Sequence, residues 1–104
     1  MSPIKKKLAR VEVELVSGEK NHRGYTEYFS QDDVYIKTIP VENPIDYSAG
    51  KIFDVKFKSS SGEAVCLNCK IKWSYKTPPH GLTVSVGMDI IDPPADYREF
   101  FKNL

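Results

Sequence analysis

A basic cluster near the amino terminus is the first group of residues that could carry a function. Lys5, Lys6, Lys7 and Arg10 lie close together in the sequence. Their positive charges attract phosphate groups, and the planar guanidinium of Arg10 can donate two parallel hydrogen bonds to one phosphate. By itself such a cluster predicts only a solvated basic terminus, so its meaning depends on the fold that positions it.

Two cysteines and two histidines raise the question of a metal site. Cys66 and Cys69 have the CxxC spacing of zinc and redox motifs, but such motifs normally occupy turns or helix starts. Here both cysteines lie in an alternating strand pattern, where residues three apart point to opposite faces. We therefore predict a buried Cys69 and a more exposed Cys66. His22 and His80 are predicted to lie in separate loops, and no metal or bound cofactor is expected.

The acidic residues Glu27, Asp32 and Asp33 could form an acid–base pair or a metal site, but aspartate also favours turns, and we predict a turn. The sequence contains no recognisable nucleophile with an adjacent base, no phosphate-binding loop and no dinucleotide-binding motif. We therefore predict that the protein is not an enzyme.

A long hairpin from Glu63 to Ile91 organises the predicted structure. Every second residue from Val65 to Trp73 is apolar, and the second arm repeats this pattern from Leu82 to Ile90. A pleated strand sends alternate side chains to opposite faces, so each arm presents one apolar face. Residues 76–81 connect the arms, because their two prolines cannot donate hydrogen bonds to a ladder. This pattern places Trp73 in the core.

Four further strands and a terminal helix are predicted from the same kinds of pattern. The strands are Val11–Leu15, Tyr25–Ser30, Val34–Thr38 and Ile52–Lys58, separated by loops that include residues 17–24 and 40–50. Tyr97, Phe100, Phe101 and Leu104 form one face of a helix that we expect to start at Asp92, before Pro93 and Pro94. Closing the six strands removes exposed edges. We therefore predict an all-β fold, a six-stranded antiparallel β-barrel with a short C-terminal α-helix.

Length and composition predict one soluble domain. The 104 residues are 40% hydrophobic and 28% charged, which is sufficient for a core without disulfide bonds. The net charge of +1 gives no global attraction to nucleic acid or anionic lipid. No membrane span and no signal peptide are predicted, so we expect a cytoplasmic protein. Residues 1–8 are predicted to form a flexible basic arm and residues 9–104 a single barrel domain.

The order of these features resembles the PilZ domain family. They are Arg10 leading into the first strand, the turn sequence Tyr28–Asp33, the strand ending in Lys72–Trp73, the segment Val86–Ile90 and the proline-led aromatic helix. The resemblance covers nearly the whole chain and depends on the order and spacing of these parts. It implies a PilZ-like bacterial barrel, and the family serves as a receptor for the second messenger cyclic di-GMP.

The two ligand-binding motifs of the family are present here in altered form. In the RxxxR motif, Lys6 takes the first arginine position and Arg10 the second. In the [D/N]xSxxG motif, Ser30 keeps the serine, Tyr28 replaces the acid or amide, and Asp33 replaces the glycine. By this resemblance, the candidate ligand-binding residues are Lys6, Arg10 and Ser30.

Each altered position weakens the expected site for a physical reason. Lys6 has no planar fork, and Tyr28 has no carboxylate to accept hydrogen bonds from guanine. Asp33 adds bulk and negative charge where glycine permits close backbone approach. Two like charges about 4 Å apart repel by roughly 4 kcal/mol at an effective dielectric of about 20. We therefore expect cyclic di-GMP binding to be weak or lost.

One main hypothesis and two alternatives follow. The main hypothesis is a PilZ-type regulatory module that acts through contacts with a protein partner and has a degenerate cyclic di-GMP site. The first alternative is a genuine receptor of lower affinity, in which Lys6, Arg10 and Ser30 clamp the ligand and the arm becomes ordered. The second is a barrel that binds single-stranded nucleic acid. It would use Tyr25, Tyr28, Tyr35 and Lys37, and the near-neutral net charge disfavours it.

Overall fold

The computed structural model describes residues 6–39, 46–76 and 83–104, which form seven β-strands and one α-helix. The elements are β1 (Lys7–Leu8), β2 (Glu12–Ser17), β3 (Lys20–Phe29), β4 (Asp33–Thr38), β5 (Ile52–Lys58), β6 (Ala64–Lys76), β7 (Val84–Ile91) and α1 (Ala95–Lys102). Strands β2 to β7 correspond in order to the six predicted strands.

Strands β2 to β7 form a closed antiparallel barrel. Neighbouring strands follow the order β3–β2–β5–β6–β7–β4, and β4 pairs back with β3 to close the sheet. The short strand β1 adds to the far end of β3, where Lys7 lies opposite Phe29 and Leu8 opposite Tyr28. The end of the predicted arm is therefore hydrogen-bonded to the barrel.

Alternating apolar side chains fill the barrel interior, as the sequence pattern predicts. They include Val13, Leu15, Phe29, Val34, Ile36, Phe53, Val55, Phe57, Val65, Leu67, Cys69, Ile71, Val86, Met88 and Ile90. Fully burying one such side chain contributes about 1.5–3 kcal/mol. Cys69 is buried and Cys66 is exposed, so the prediction from their opposite faces is confirmed.

Helix α1 packs at one end of the barrel through its aromatic residues. Tyr97 and Phe101 are buried, and the Phe100 ring lies 5.2 Å from that of Phe29 and 4.9 Å from that of Phe57. The helix begins after Pro94 rather than at Asp92, which adopts a φ of +47°. Leu104 lies beyond the last helical residue and is exposed, so its predicted place on the buried face is wrong.

The predicted loop at residues 17–24 is mostly strand. A two-residue turn connects Ser17 to Lys20, and Gly18 supplies the φ of +62° that this turn requires. His22 therefore lies inside β3, where it is buried and hydrogen-bonded to the Tyr47 hydroxyl and the Ile39 carbonyl. The sequence pattern did not predict this part of β3, because its buried and exposed residues do not differ in hydrophobicity. His80, Leu82, the loop segment 40–45 and most of the predicted hairpin connection lie outside the described residues.

The prediction that Trp73 belongs to the core is also wrong. Ile71 pairs with Met88 and Trp73 pairs with Gly87, so one extra residue, Lys72, is inserted in β6. Such a bulge changes the face to which the following side chains point. Trp73 is therefore only half-buried, on the outside of the barrel.

Candidate functional site

Five aromatic side chains lie on one outer side of the barrel, across strands β3, β4, β7 and β6. They are Tyr25, Tyr28, Tyr35, Trp73 and Tyr75, and we call them the outer aromatic face. Tyr28 pairs with Tyr35, Tyr35 with Gly87, and Gly87 with Trp73, so three rings share one row across the sheet. In the adjacent row, Tyr25 lies opposite Lys37 and Tyr75 lies opposite Ser85.

Two bulges bring these rings to the same side. Tyr25 and Tyr28 are three residues apart, a spacing that would place them on opposite faces of a regular strand. The register of β3 against β4 shifts between Thr26 and Tyr28, so both tyrosines point outward. The second bulge, at Lys72, has the same effect on Trp73 and leaves the interior to Ile71.

The rings form a continuous chain of contacts. Tyr28 stacks on Tyr35 with ring centroids 4.2 Å apart, and the Tyr35 ring meets Trp73 edge-on at 5.0 Å. Trp73 in turn lies nearly parallel to Tyr75, with ring centroids 5.5 Å apart. Tyr75 has 56% of its surface exposed. Tyr75 is therefore the most exposed ring of this chain, whereas Tyr28, Tyr35 and Trp73 are half-buried.

Gly87 allows the Trp73 indole to lie flat against the sheet. A Cβ atom on Gly87 would come within 2.4 Å of Cε2 and 2.7 Å of Nε1 of that indole. These are shorter than any normal contact, so the ring covers the bare Cα of Gly87. One face of the indole contacts the sheet, and the half-buried ring together with the stacked Tyr75 ring forms an apolar platform.

Cationic groups lie over these rings. The Lys6 ammonium lies 4.9 Å from the centroid of Tyr28 and 5.6 Å from that of Tyr35. The Arg10 guanidinium lies 4.7 Å from the centroid of Tyr25, in a cleft of about 560 Å³. Cation–π contacts of this kind contribute about 0.5–1 kcal/mol at exposed sites.

Thr26 fixes the backbone on both sides of Arg10. Its hydroxyl donates to the Ala9 carbonyl at 2.6 Å and accepts from the Val11 amide at 2.8 Å. Thr26 itself is buried, so this tether is held by the barrel. Arg10 is therefore directed along the outer surface from a fixed backbone position.

The carboxylate of Asp33 is paired rather than free. The Lys72 ammonium lies 3.0 Å from Asp33 and 3.6 Å from Asp89. Burial acts to lower the pKa of Lys72, but the hydrogen bond and negative charge of Asp33 outweigh it and the net pKa is raised. Burial and the neighbouring Asp33 raise the pKa of Asp89. The repulsion expected from Asp33 is accordingly reduced only in part, because Lys72 is shared with Asp89 and one ammonium between two carboxylates leaves a negative charge.

The three sequence-predicted ligand residues do not converge on one point. Lys6 and Arg10 both lie on the outer side, over different rings. Ser30 is 1% exposed; its hydroxyl lies 3.5 Å from an Asp32 carboxylate oxygen and its carbonyl accepts a hydrogen bond from the Tyr97 hydroxyl. The structure thus brings Lys6 to Tyr28, whereas Ser30 faces helix α1.

Tyr28 occupies the acid or amide position of the second motif. Burial, followed by the hydrogen bond and charge of Tyr35, raises the pKa of the Tyr28 phenol above its usual value. The phenol therefore stays neutral at physiological pH. A neutral ring stacked on Tyr35 and covered by Lys6 replaces the charged acceptor of the family motif.

The described segments contain neither a metal-binding cluster nor a membrane-spanning helix. Within residues 6–39, 46–76 and 83–104, no three His, Cys, Asp or Glu side chains gather in a way that could hold a metal ion. The helix that the structure describes is too short to cross a membrane.

Sequence reasoning missed Trp73 and Tyr75 as surface residues. One signal was available, because a lone glycine inside a strand, here Gly87, often marks the close approach of another group. In this barrel that group is the Trp73 indole. The bulge at Lys72, which turns both rings outward, has no comparable sequence signature.

Comparisons with known proteins place the fold. No protein-family model matches the sequence, and no curated protein matches it. A solved structure, that of the Bacillus subtilis inhibitor of motility MotI/DgrA, superposes with a TM-score of 0.76 over 98% of this chain at 8% sequence identity. The present chain spans 48% of that protein, about half its length. This match confirms the predicted fold class, a six-stranded antiparallel PilZ-like barrel with a C-terminal helix.

Proposed function

We propose that the protein is a bacterial, cytoplasmic regulatory module of PilZ type that acts through contacts with a protein partner and not as an enzyme. Its site for cyclic di-GMP is degenerate in this proposal. The match to an inhibitor of motility supports a regulatory role, and control of motility is one output that the partner could carry.

The arrangement at the second motif carries this proposal. Tyr28 stacks on Tyr35, and the Lys6 ammonium lies over both rings. The side chains at two motif positions therefore contact one another and this molecule's own surface. A nucleotide would have to displace Lys6 before it could stack there. Ser30, the third candidate ligand-binding residue, is buried and therefore not accessible to a ligand.

The outer aromatic face supports a protein partner. Tyrosine and tryptophan are enriched at protein interfaces, because each combines a large apolar ring with a polar group. Trp73 and Tyr75 offer such surface at the open end of the row, and Tyr75 is more than half exposed. A partner could bury both rings without any rearrangement of the barrel.

The first alternative, a receptor of lower affinity, keeps Lys6, Arg10 and Ser30 as ligands. Lys6 and Arg10 already lie on the outer side, and Lys72, which also faces Asp89, compensates part of the charge of Asp33. These observations favour residual affinity for a dianionic nucleotide. In this alternative the turn would have to open so that Ser30 becomes accessible.

Amide chemical shifts of isotope-labelled protein during a titration with cyclic di-GMP test the proposal. We expect no saturable shifts in residues 6–10 or 28–33 at millimolar ligand, which corresponds to binding weaker than about −4 kcal/mol. Saturable shifts in both segments at micromolar ligand would overturn the degenerate site and favour the receptor alternative.

A variant with the family residues restored provides the positive control. It combines Lys6→Arg, Tyr28→Asp and Asp33→Gly, so that both motifs are complete. We expect this triple variant to gain affinity for cyclic di-GMP by at least about tenfold. No gain would show that the altered motif positions are not the cause of weak binding.

A further inference from the structure

We propose that the outer aromatic face docks a short extended segment of a partner protein that is rich in acidic residues and carries a proline or aromatic residue. This inference rests on the proposed function and specifies the chemistry of the partner. The proline or aromatic ring would lie on Trp73, and carboxylates of the segment would meet Lys6 and Arg10.

The Trp73 platform requires a flat or compact apolar group. The half-buried indole covers the Cα of Gly87 and stacks with the more exposed Tyr75 ring at an interplanar angle of 22°. Aromatic-lined surfaces of this kind bind proline rings in extended segments, because the segment loses little conformational entropy on binding. The same surface would accept a tyrosine or phenylalanine ring by stacking.

The charges on the outer side favour acidic residues in the partner. Lys72 is paired with Asp33 and Asp89, and Lys37 lies 3.4 Å from Glu27. For Lys6 and Arg10, by contrast, the interactions found within the described segments are with tyrosine rings, and no carboxylate there lies within ion-pair distance. Two cations without an ion-pair partner in the described segments thus flank the rings, and charge complementarity there calls for carboxylates. The Asp33–Lys72–Asp89 group, which keeps a negative charge, would not attract them.

The dimensions fit a short segment. The row from Tyr28 to Trp73 crosses four strands, which corresponds to about 14 Å at the usual strand spacing of about 4.8 Å. An extended chain covers this distance with about four to five residues. Side chains from one short motif can therefore reach both Trp73 and Lys6.

The geometry favours a peptide over single-stranded nucleic acid. Nucleic-acid surfaces of this class stack successive bases on successive free rings. Here the rings stack on one another in pairs, Tyr28 with Tyr35 and Trp73 with Tyr75, and Lys6 covers the first pair. The described rings therefore do not offer a series of free faces to successive bases. The net charge of +1 also provides little of the attraction on which such binding depends.

Selection from a phage-displayed library of random dodecapeptides tests the proposal. The library is depleted on the Trp73→Ala variant and then selected on the wild-type protein. We expect the recovered peptides to carry more acidic than basic residues and at least one proline or aromatic residue. Recovered peptides without an acidic surplus, or no enrichment on the wild type, would overturn the proposal.

Synthetic copies of the recovered peptides then locate the contact. We expect Tyr75→Ala and the double variant Lys6→Glu/Arg10→Glu each to weaken binding by at least about tenfold. Lys58→Glu, an exposed charge change on β5, serves as the matched control and should leave affinity unchanged. Equal binding by all variants would place the peptide elsewhere. Tyr75 is exposed, so its substitution tests the platform even if Trp73→Ala fails to fold.

A labelled oligothymidylate serves as the competing probe. If it binds more tightly than the recovered peptides, with an affinity that falls steeply with salt, the face is a nucleic-acid surface and the peptide proposal is wrong. Failure of the peptide proposal can be told apart from failure of the proposed function. Strong cyclic di-GMP binding would overturn the degenerate site, whatever result the peptides give.

Discussion

The two outer sides of this barrel differ sharply although they enclose the same core. On the β2–β5 side and the adjoining half of β6, most outward residues are polar or charged and none is aromatic, although Ile52 and Cys66 are also exposed there. Asp54 on this side accepts a hydrogen bond from Asn68 at 3.3 Å. On the β3–β4–β7 side and the far half of β6, the outward residues include five aromatic rings among charged side chains. The buried core is made of inward side chains from both sides, and none of the five outer rings belongs to it.

The backbone differs between the two sides in the same way. The ladders β2–β5 and β5–β6 are regular along their paired lengths. The ladders β3–β4 and β6–β7 each contain a register shift, at Glu27 and at Lys72. Bulges concentrate near functional sites, where they redirect side chains. Irregular backbone and exposed aromatic rings therefore coincide, which supports a binding role for that side.

The largest predicted effect on the free energy of unfolding comes from a comparison of one inward with one outward residue of β6. Leu67 is fully buried, and Leu67→Ala should lower the free energy of unfolding by about 3 kcal/mol through lost burial and a cavity. Trp73→Ala should cost about 1 kcal/mol, because the indole is only half-buried. Urea denaturation measures both. Equal costs would mean that Trp73 belongs to the core, against the outer position described above.

The platform can be removed without touching the tryptophan. Gly87→Val would place side-chain atoms where the indole lies, so we expect Trp73 to be displaced into solvent at a cost of about 1–3 kcal/mol. Trp73 is the only tryptophan in the sequence. Its emission should therefore shift to longer wavelength and be quenched more readily by acrylamide. Cys66→Val adds bulk at an exposed position of the polar side and should change neither property. An unchanged spectrum in Gly87→Val would refute the flat arrangement.

Removal of the hydrogen bond between α1 and the turn that contains Ser30 is expected to have a smaller effect on stability. The Tyr97 hydroxyl donates to the Ser30 carbonyl in a buried setting. Tyr97→Phe leaves that carbonyl without this donor and should cost about 1–2 kcal/mol. Amide shifts of residues 30–33 should move, whereas those of Trp73 and Tyr75 should stay in place. Shifts spread over the outer aromatic face would show that α1 and that face are coupled.

The two cysteines give the simplest test of inside against outside. A thiol reagent should modify Cys66 quickly and Cys69 only when the barrel opens. Burial raises the pKa of the Cys69 thiol from its usual 9.0 to about 12. Above pH 9.0 the unfolded chain loses a proton that the folded chain keeps, so this contribution to stability is complete below pH 9.0 and lost as pH rises towards 12. Cys69→Ala should flatten this part of the stability–pH profile. Equal labelling rates for the two thiols would contradict their assigned faces.

The sequence allowed the fold to be predicted because its strongest signal, period-two alternation, is the property that a barrel core requires. Val65, Leu67, Cys69 and Ile71 all point inward as the pattern indicates. The prediction failed at Trp73, since a single inserted residue reverses the alternation without altering composition. It failed at His22 because a short turn at Gly18 replaced the expected long loop.

The candidate site was predicted only in part, for a related reason. The motif comparison located Lys6 and Tyr28, which the structure brings into contact. It could not reveal that Tyr35, Gly87 and Trp73 complete the same row, because those residues come from three other strands. Cross-strand register is set by bulges and closure, which local sequence patterns do not encode.

The emission of Trp73 during two parallel titrations tests the central claim most directly. One titration adds cyclic di-GMP and the other adds an acidic peptide recovered by selection. Our account predicts that the peptide shifts the emission saturably, whereas cyclic di-GMP at the same concentrations leaves it unchanged. A saturable response to cyclic di-GMP together with no response to the peptide would contradict the account and identify the outer aromatic face as a nucleotide site.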